Sequence, residues 1–99
     1  MSTENETIET LKVTSVQVYP FSHPVDRKLG LASVVLNDQL LIRDLRIVDG
    51  ENGIFVAYPI VTKEHDPEGF QRSAVFPIIR ALREHIENAV LEKYQAAVR

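Results

Sequence analysis

Ninety-nine residues with a formal net charge of −3 and no cysteine describe one small domain near the lower end of the usual range. Without cysteine there is no disulfide scaffold and no thiolate zinc site, and the negative balance argues against a polycation that coats nucleic acid indiscriminately. No charged-then-apolar leader opens the chain and no stretch approaches a membrane-spanning length, so a cytoplasmic protein with no membrane partner is expected.

Residues 1–10 (MSTENETIET) are polar, acidic and almost free of hydrophobes, and read as a disordered tail ahead of a single domain over 11–99. Lys12 to Tyr19 is a β-branched run closed by Pro20. Its apolar positions change parity between Val13 and Val16, which predicts a bulge. Phe21 to Lys28 holds two prolines and reads as a long hairpin loop. Leu29 to Leu36 is a second strand, and Asn37-Asp38 a short turn.

The run Leu40 to Pro59 (LLIRDLRIVDGENGIFVAYP) reads as two strands joined by the tight acidic loop Asp49-Gly50-Glu51-Asn52-Gly53, whose residue types suit positive φ. Asp44 and Arg46 stand two apart in the first arm and project from the same face. The second arm is apolar on both faces: Ile54, Val56 and Tyr58 on one, Phe55 and Ala57 on the other.

Thr62 to Gly69 is a charged loop, and Phe70 to Phe76 a candidate short edge strand. From Pro77, Ile78, Leu82, Ile86, Val90 and Tyr94 recur every fourth residue, with Ile79, Ala89 and Ala97 widening the stripe. That spacing predicts an amphipathic helix with Pro77 in its first turn. The expected class is α+β: an antiparallel meander of four to five strands with one C-terminal helix packed on it. One helix covers one face of such a sheet. The doubly apolar strand therefore predicts a homodimer, with Asp44, Arg46, Ile54, Val56 and Tyr58 in its region. The alternative is that loop residues such as Phe21 fold over the second face.

The chemistry-bearing residues are sparse. His23, His65 and His85 are scattered with no metal-site spacing and read as solvated imidazoles, so no metal or other cofactor is expected. Asp49 and Glu51 are explained by their turn, and no nucleophile stands with a base. The chain reads as a non-enzyme with no catalytic residues and no small-molecule substrate. Asp44 and Arg46 read as a structural ion pair, in which case Asp44→Ala should cost more than a surface change. The alternative is that Asp44 aims Arg46 at an anionic ligand.

Arg80 and Arg83 fall in the first turns of the helix, where the macrodipole disfavours cations. Their i+4 partners Glu84 and Glu87 are in the weaker order. Helix stability accounts poorly for these arginines: they read either as ligands for a phosphate or as an ordinary solvated face with weak ion pairs. Lys63 and Arg72 are weaker candidates for the same patch, with Arg27, Lys28 and Arg43 as possible extensions. Tyr19, Phe21, Phe70 and Phe76 are spread out and read as core rather than as a stacking platform.

The run IRDLRIVDGENGIFVAYP resembles the central motif of the stage V sporulation protein G (SpoVG) family, D-[IL]-R-[VI]-[IV]-[DE]-G followed by N-G-[LI]-F-[VI]-A-x-P. With the helix segment Arg83 to Tyr94, similar to the family's R-x-[KR]-I-x-x-A-V-x-x-x-Y, the likeness spans about Leu11 to Val98. It implies a dimeric bacterial regulator that binds DNA and RNA through basic residues of the C-terminal helix and is linked to septation, cell division and sporulation. Arg83 matches a family basic position, His85 stands where Lys is usual, and Arg80 replaces a Ser-type cap.

Other departures remove positive charge. The family's basic first strand is Gln17-Val18-Tyr19-Pro20 here, its P-S-[RK]-[RK] is Pro59-Ile60-Val61-Thr62-Lys63, and its F-R-D-[IT]-[AT]-H-P-I is FQRSAVFPI. Any nucleic-acid binding is therefore expected to be weaker, salt-sensitive and sequence-tolerant. The acidic net charge favours a different reading, a protein-interaction module in septation without nucleic acid.

Overall fold

The computed structural model describes residues 10–65, 67–69 and 72–98, with the side chain of Lys63 outside that description. The tail over 1–9, Phe70 and the Lys63 side chain, each given a role by the sequence, lie outside the described residues. Four strands, β1 (Val13–Val25), β2 (Lys28–Leu36), β3 (Leu40–Gly50) and β4 (Gly53–Ala57), form an antiparallel sheet in sequential order. Two short strands, β5 (Ile60–Val61) and β6 (Arg72–Ser73), pair in a second small sheet, and α1 (Arg80–Val98) closes the chain. The α+β meander with one C-terminal helix is thus the observed architecture. The fifth-strand candidate pairs with β5 rather than extending the main sheet.

Period-two alternation decides which side α1 covers. In β2, Ala32, Val34 and Leu36 are buried, as are Leu45 and Ile47 of β3 and Val56 of β4. Ile86 and Val90 of α1 close over them, with Val13, Val16, Val18, Ile42, Ile54, Leu82, Leu91 and Tyr94 at the margins. The helix therefore lies on one face and leaves the other open. Among the described residues no helix is long and apolar enough to cross a membrane.

Two expectations about β1 are resolved differently. The parity slip is a real register shift between Val13 and Ser15. However, the strand does not end at Pro20. It continues to Val25, and the predicted long loop contracts to a two-residue turn, Asp26-Arg27, with φ of 53° and 67°. An edge strand tolerates Pro20 and Pro24 because their missing N–H groups cost no ladder bond on the open side. Asn37-Asp38 adopts the same left-handed pair (53° and 57°), as hairpin twist requires. The Asn37 side chain then accepts from Lys12 N–H (2.9 Å) and donates to the Thr10 carbonyl (3.2 Å), fastening the start of β1. Where β1 passes Gly30, the backbone approach is close. A Cβ there would lie 2.7 Å from the Tyr19 carbonyl oxygen.

The helix begins later than its apolar stripe. Pro77, Ile78 and Ile79 precede it, and Ile78 is 87% exposed. The i, i+4 spacing from Ile78 to Leu82 is a coincidence of the approach segment.

Candidate functional site

The residues proposed from sequence separate into three places. Arg80 opens α1 as an exposed cation for which no ion pair or side-chain hydrogen bond is found among the described residues. Arg83, one turn on, leans back towards the sheet. Its guanidinium donates to the Pro77 carbonyl (3.1 Å) and stands 5.5 Å above the Tyr58 ring. That geometry stabilises the junction between α1 and β4 by a cation–π contact and a tie on the pre-helix turn. Four of the five guanidinium donors on an exposed side chain remain for other partners. Arg72 lies in β6 and bridges to Glu68 (3.0 Å) across an exposed loop.

Arg43 and Lys28 do not extend this patch. They belong to the open side of the main sheet, across it from α1: Arg43 alternates with Ile42, and the register shift between Lys28 and Gly30 sets Lys28 opposite Val48. Arg27 is at the tip of the β1–β2 hairpin.

The expected ion pair between Asp44 and Arg46 is corrected. Opposite Ser33, β3 carries a bulge, with the register passing from Ala32–Leu45 to Val34–Ile42. Asp44 occupies it with φ of 65°. Arg46 instead donates to the Tyr58 carbonyl at 2.6 Å, which ties β3 to the chain beyond β4. Ile54, Val56 and Tyr58 are also not the unpartnered face. They lie beneath α1, Val56 and Tyr58 buried, while Phe55 and Ala57 point to the open side.

The α1–β4 junction contains two contacts without a local sequence signature. Glu87 accepts a hydrogen bond from the Val56 N–H (3.1 Å), giving an edge-strand donor a partner from the helix. The Tyr58 hydroxyl is buried and has no partner among the described residues. Burial pushes its ionisation above the ordinary tyrosine range, opposed by the Arg83 charge and reinforced by Glu87. In the same part of α1, His85 Nε2 accepts the Val13 N–H at 3.0 Å. The bond makes His85 a tie between α1 and β1, on a ring that stays exposed. His65 Nδ1 pairs with the Thr62 hydroxyl at 2.8 Å.

The aromatic residues also depart from expectation. Tyr19, Phe21 and Phe76 are exposed rather than core, and the approach to α1 displays Val75, Phe76, Ile78 and Ile79 to solvent.

The SpoVG family model matches residues 11–96. A protein of Caldicellulosiruptor saccharolyticus is 30% identical over 88 residues, covering 89% of this chain and 96% of its own length. One from Desulforudis audaxviator is 42% identical over 66 residues, 67% of this chain and 72% of that protein. One from Acholeplasma laidlawii is 32% identical over 85 residues, 86% of each chain. All three bear the name "Putative septation protein SpoVG". The chain belongs to the SpoVG family.

Proposed function

We propose that this protein is a non-catalytic cytoplasmic regulator connected to septation and sporulation-type control, and that it acts by binding DNA or RNA. The observation that carries the reading is the pair of exposed arginines at the start of α1. Arg80 has no ionic partner among the described residues, and Arg83 keeps free donors beyond its tie to Pro77. Cations in that position do not help the helix, whereas they favour a phosphate at its N-terminal N–H groups. Lys63 and Arg72 are secondary contacts in this reading. The paired Glu68 reduces what Arg72 contributes.

The test is a titration of labelled duplex DNA and RNA at low and moderate salt with wild type and an Arg80→Glu/Arg83→Glu double variant. Loss of binding in the variant alone supports the reading. Equal, negligible binding by both defeats it.

A second reading, a protein-interaction module in septation without nucleic acid, is favoured by the exposed apolar run Val75, Phe76, Ile78 and Ile79 beside those arginines. The same run suits a homodimer, in which a two-fold axis brings the patch against its own copy. A monomeric mass in light scattering at micromolar concentration would defeat the dimer.

A further inference from the structure

The chain between β6 and α1 presents hydrophobic side chains where a small domain would normally hide them. Phe76 is 50% exposed, Ile79 59% and Ile78 87%, with Val75 exposed beside them. The segment is pinned from behind. The Ala74 N–H donates to the Pro59 carbonyl (2.7 Å), and Pro77 is buried between Phe76 and Ile78, its carbonyl accepting from the Arg83 guanidinium (3.1 Å). The Ile79 carbonyl then takes the Arg83 N–H (3.2 Å) as α1 begins. Ile79 also lines a mostly apolar depression of about 410 Å³ with Leu11, Ala81 and Leu82, so the apolar surface continues to the residues before β1.

Cations rim this surface. Lys12 stands at the depression, and the exposed Arg80 and Arg83 follow Ile79 at the start of α1. Among the described residues nearby, Glu84 lies one turn on from Arg80, while Glu87 is turned to the Val56 N–H and Glu68 to Arg72. Three cations thus face one uncommitted carboxylate, on a chain whose formal charge is −3.

We infer that this apolar tip docks on an anionic lipid bilayer, with Phe76, Ile78 and Ile79 entering the headgroup boundary and Lys12, Arg80 and Arg83 against lipid phosphates. Lipid and nucleic acid would compete for the same arginines, and the aliphatic side chains choose between them. Bases stack on aromatic rings and gain little from Ile78 or Ile79, whereas the headgroup–acyl boundary takes up aliphatic and aromatic groups alike. A side chain that projects as far as Ile78 needs a matching hollow in a protein partner but none in a fluid boundary. A two-fold contact with a second copy would bury the same residues, yet it would gather Lys12, Arg80 and Arg83 with their copies. The sequence expectation of no membrane partner considers only spanning stretches, and a contact about 5–10 Å deep needs none.

The experiment is flotation of the full chain with vesicles of phosphatidylcholine alone, or of phosphatidylcholine and phosphatidylglycerol in equal parts, at low and moderate salt. The chain has no tryptophan, so Ile78→Trp is a lone fluorescent reporter, with Val25→Trp at the far β1–β2 hairpin as its control. Wild type should float with the anionic vesicles, less so at moderate salt, and not with phosphatidylcholine alone. Ile78→Ser should weaken this binding by roughly 10- to 100-fold, and Arg80→Glu/Arg83→Glu by at least roughly 30-fold. Anionic vesicles should move the emission of Ile78→Trp to shorter wavelength and leave that of Val25→Trp in place. Ile78→Ser should keep the wild-type melting temperature, because its side chain is already in solvent.

Failure of wild type to float with anionic vesicles overturns the inference and leaves the nucleic-acid reading standing. Vesicle binding without binding of DNA or RNA supports the inference and defeats that reading. Flotation lost in Arg80→Glu/Arg83→Glu but untouched by Ile78→Ser, with no shift in Ile78→Trp, reduces the contact to charge and overturns the inserted tip. Equal binding to neutral vesicles overturns the choice of an anionic surface. Conversion of a dimer to a monomer by Ile78→Ser, with no flotation of wild type, assigns the tip to a second copy and overturns the inference too.

Discussion

Replacing Glu87 with alanine tests how the edge of the sheet is protected. The Val56 N–H points to the free edge of β4 and is satisfied by the Glu87 carboxylate at 3.1 Å, in a partly buried setting. A charge-assisted hydrogen bond of this kind contributes about 1.5–3 kcal/mol when well shielded. Partial exposure lowers that, and the better helix propensity of alanine returns a few tenths. A net loss of about 1–1.5 kcal/mol is expected, which for a domain of this size lowers the melting temperature by roughly 4–12 °C. Glu87→Gln keeps an acceptor without the charge and should lose about half as much. Thermal melts followed by circular dichroism give the size of the effect, and amide exchange at Val56 gives its location. An unchanged melting temperature in Glu87→Ala, with Val56 still protected, would refute the reasoning.

Gly30→Ala should destabilise by at least about 2 kcal/mol, because its Cβ would meet the Tyr19 carbonyl oxygen at 2.7 Å and the Pro20 Cα at 2.9 Å, both backbone atoms. Denaturant unfolding checks it, and a loss below about 0.5 kcal/mol would contradict the close β1–β2 approach. Tyr58→Phe removes a buried hydroxyl without a partner among the described residues and should be neutral or raise stability by up to about 1 kcal/mol. The raised Tyr58 pKa also gives a sign: its contribution is fully present below about pH 10 and is lost as pH rises through the higher folded-state value. Melting temperature against pH should therefore fall less steeply above about pH 10 in Tyr58→Phe than in wild type, and parallel curves would contradict this. At Asp44, with φ of 65°, Asp44→Asn should be near neutral while Asp44→Val costs about 1–2 kcal/mol. Equal losses in both would restore a charge-based role for the carboxylate.

The fold was legible where local pattern and tertiary packing agree. The alternation in β2, the apolar arms of the β3–β4 hairpin and the stripe Leu82, Ile86, Val90 each report the face that α1 covers. Asn37-Asp38 announced its turn because those side chains tolerate a left-handed backbone. Misreadings came from rules that local context overrides. Pro20 reads as a strand end, yet an edge position has no ladder bond for it to break.

Strict period two pairs Asp44 with Arg46, but the apolar positions Ile42, Leu45 and Ile47 already contain the parity change that the bulge imposes. Periodicity also ran the helix stripe back to Ile78, outside α1. Of the site, Arg80 and Arg83 were legible as cations in the wrong half of a helix. The engagement of Arg83 with Tyr58 and Pro77 was not, because it depends on how α1 meets β4. The same holds for Glu87 on Val56 and His85 on Val13. These are side-chain bonds to backbone N–H groups 31 and 72 residues away, for which no sequence spacing exists. The open face became visible only once register aligned Tyr19, Arg46 and Phe55 with their neighbours on one side.

The central claim is that this acidic chain binds nucleic acid through local cationic surface. Its most direct test is the affinity of the wild-type chain for a labelled single strand, measured across a series of salt concentrations. The account predicts measurable binding at low salt, with log affinity falling linearly against log salt at a slope that reports about two to four phosphate contacts. Absence of binding at the lowest salt, or an affinity indifferent to salt, would contradict it.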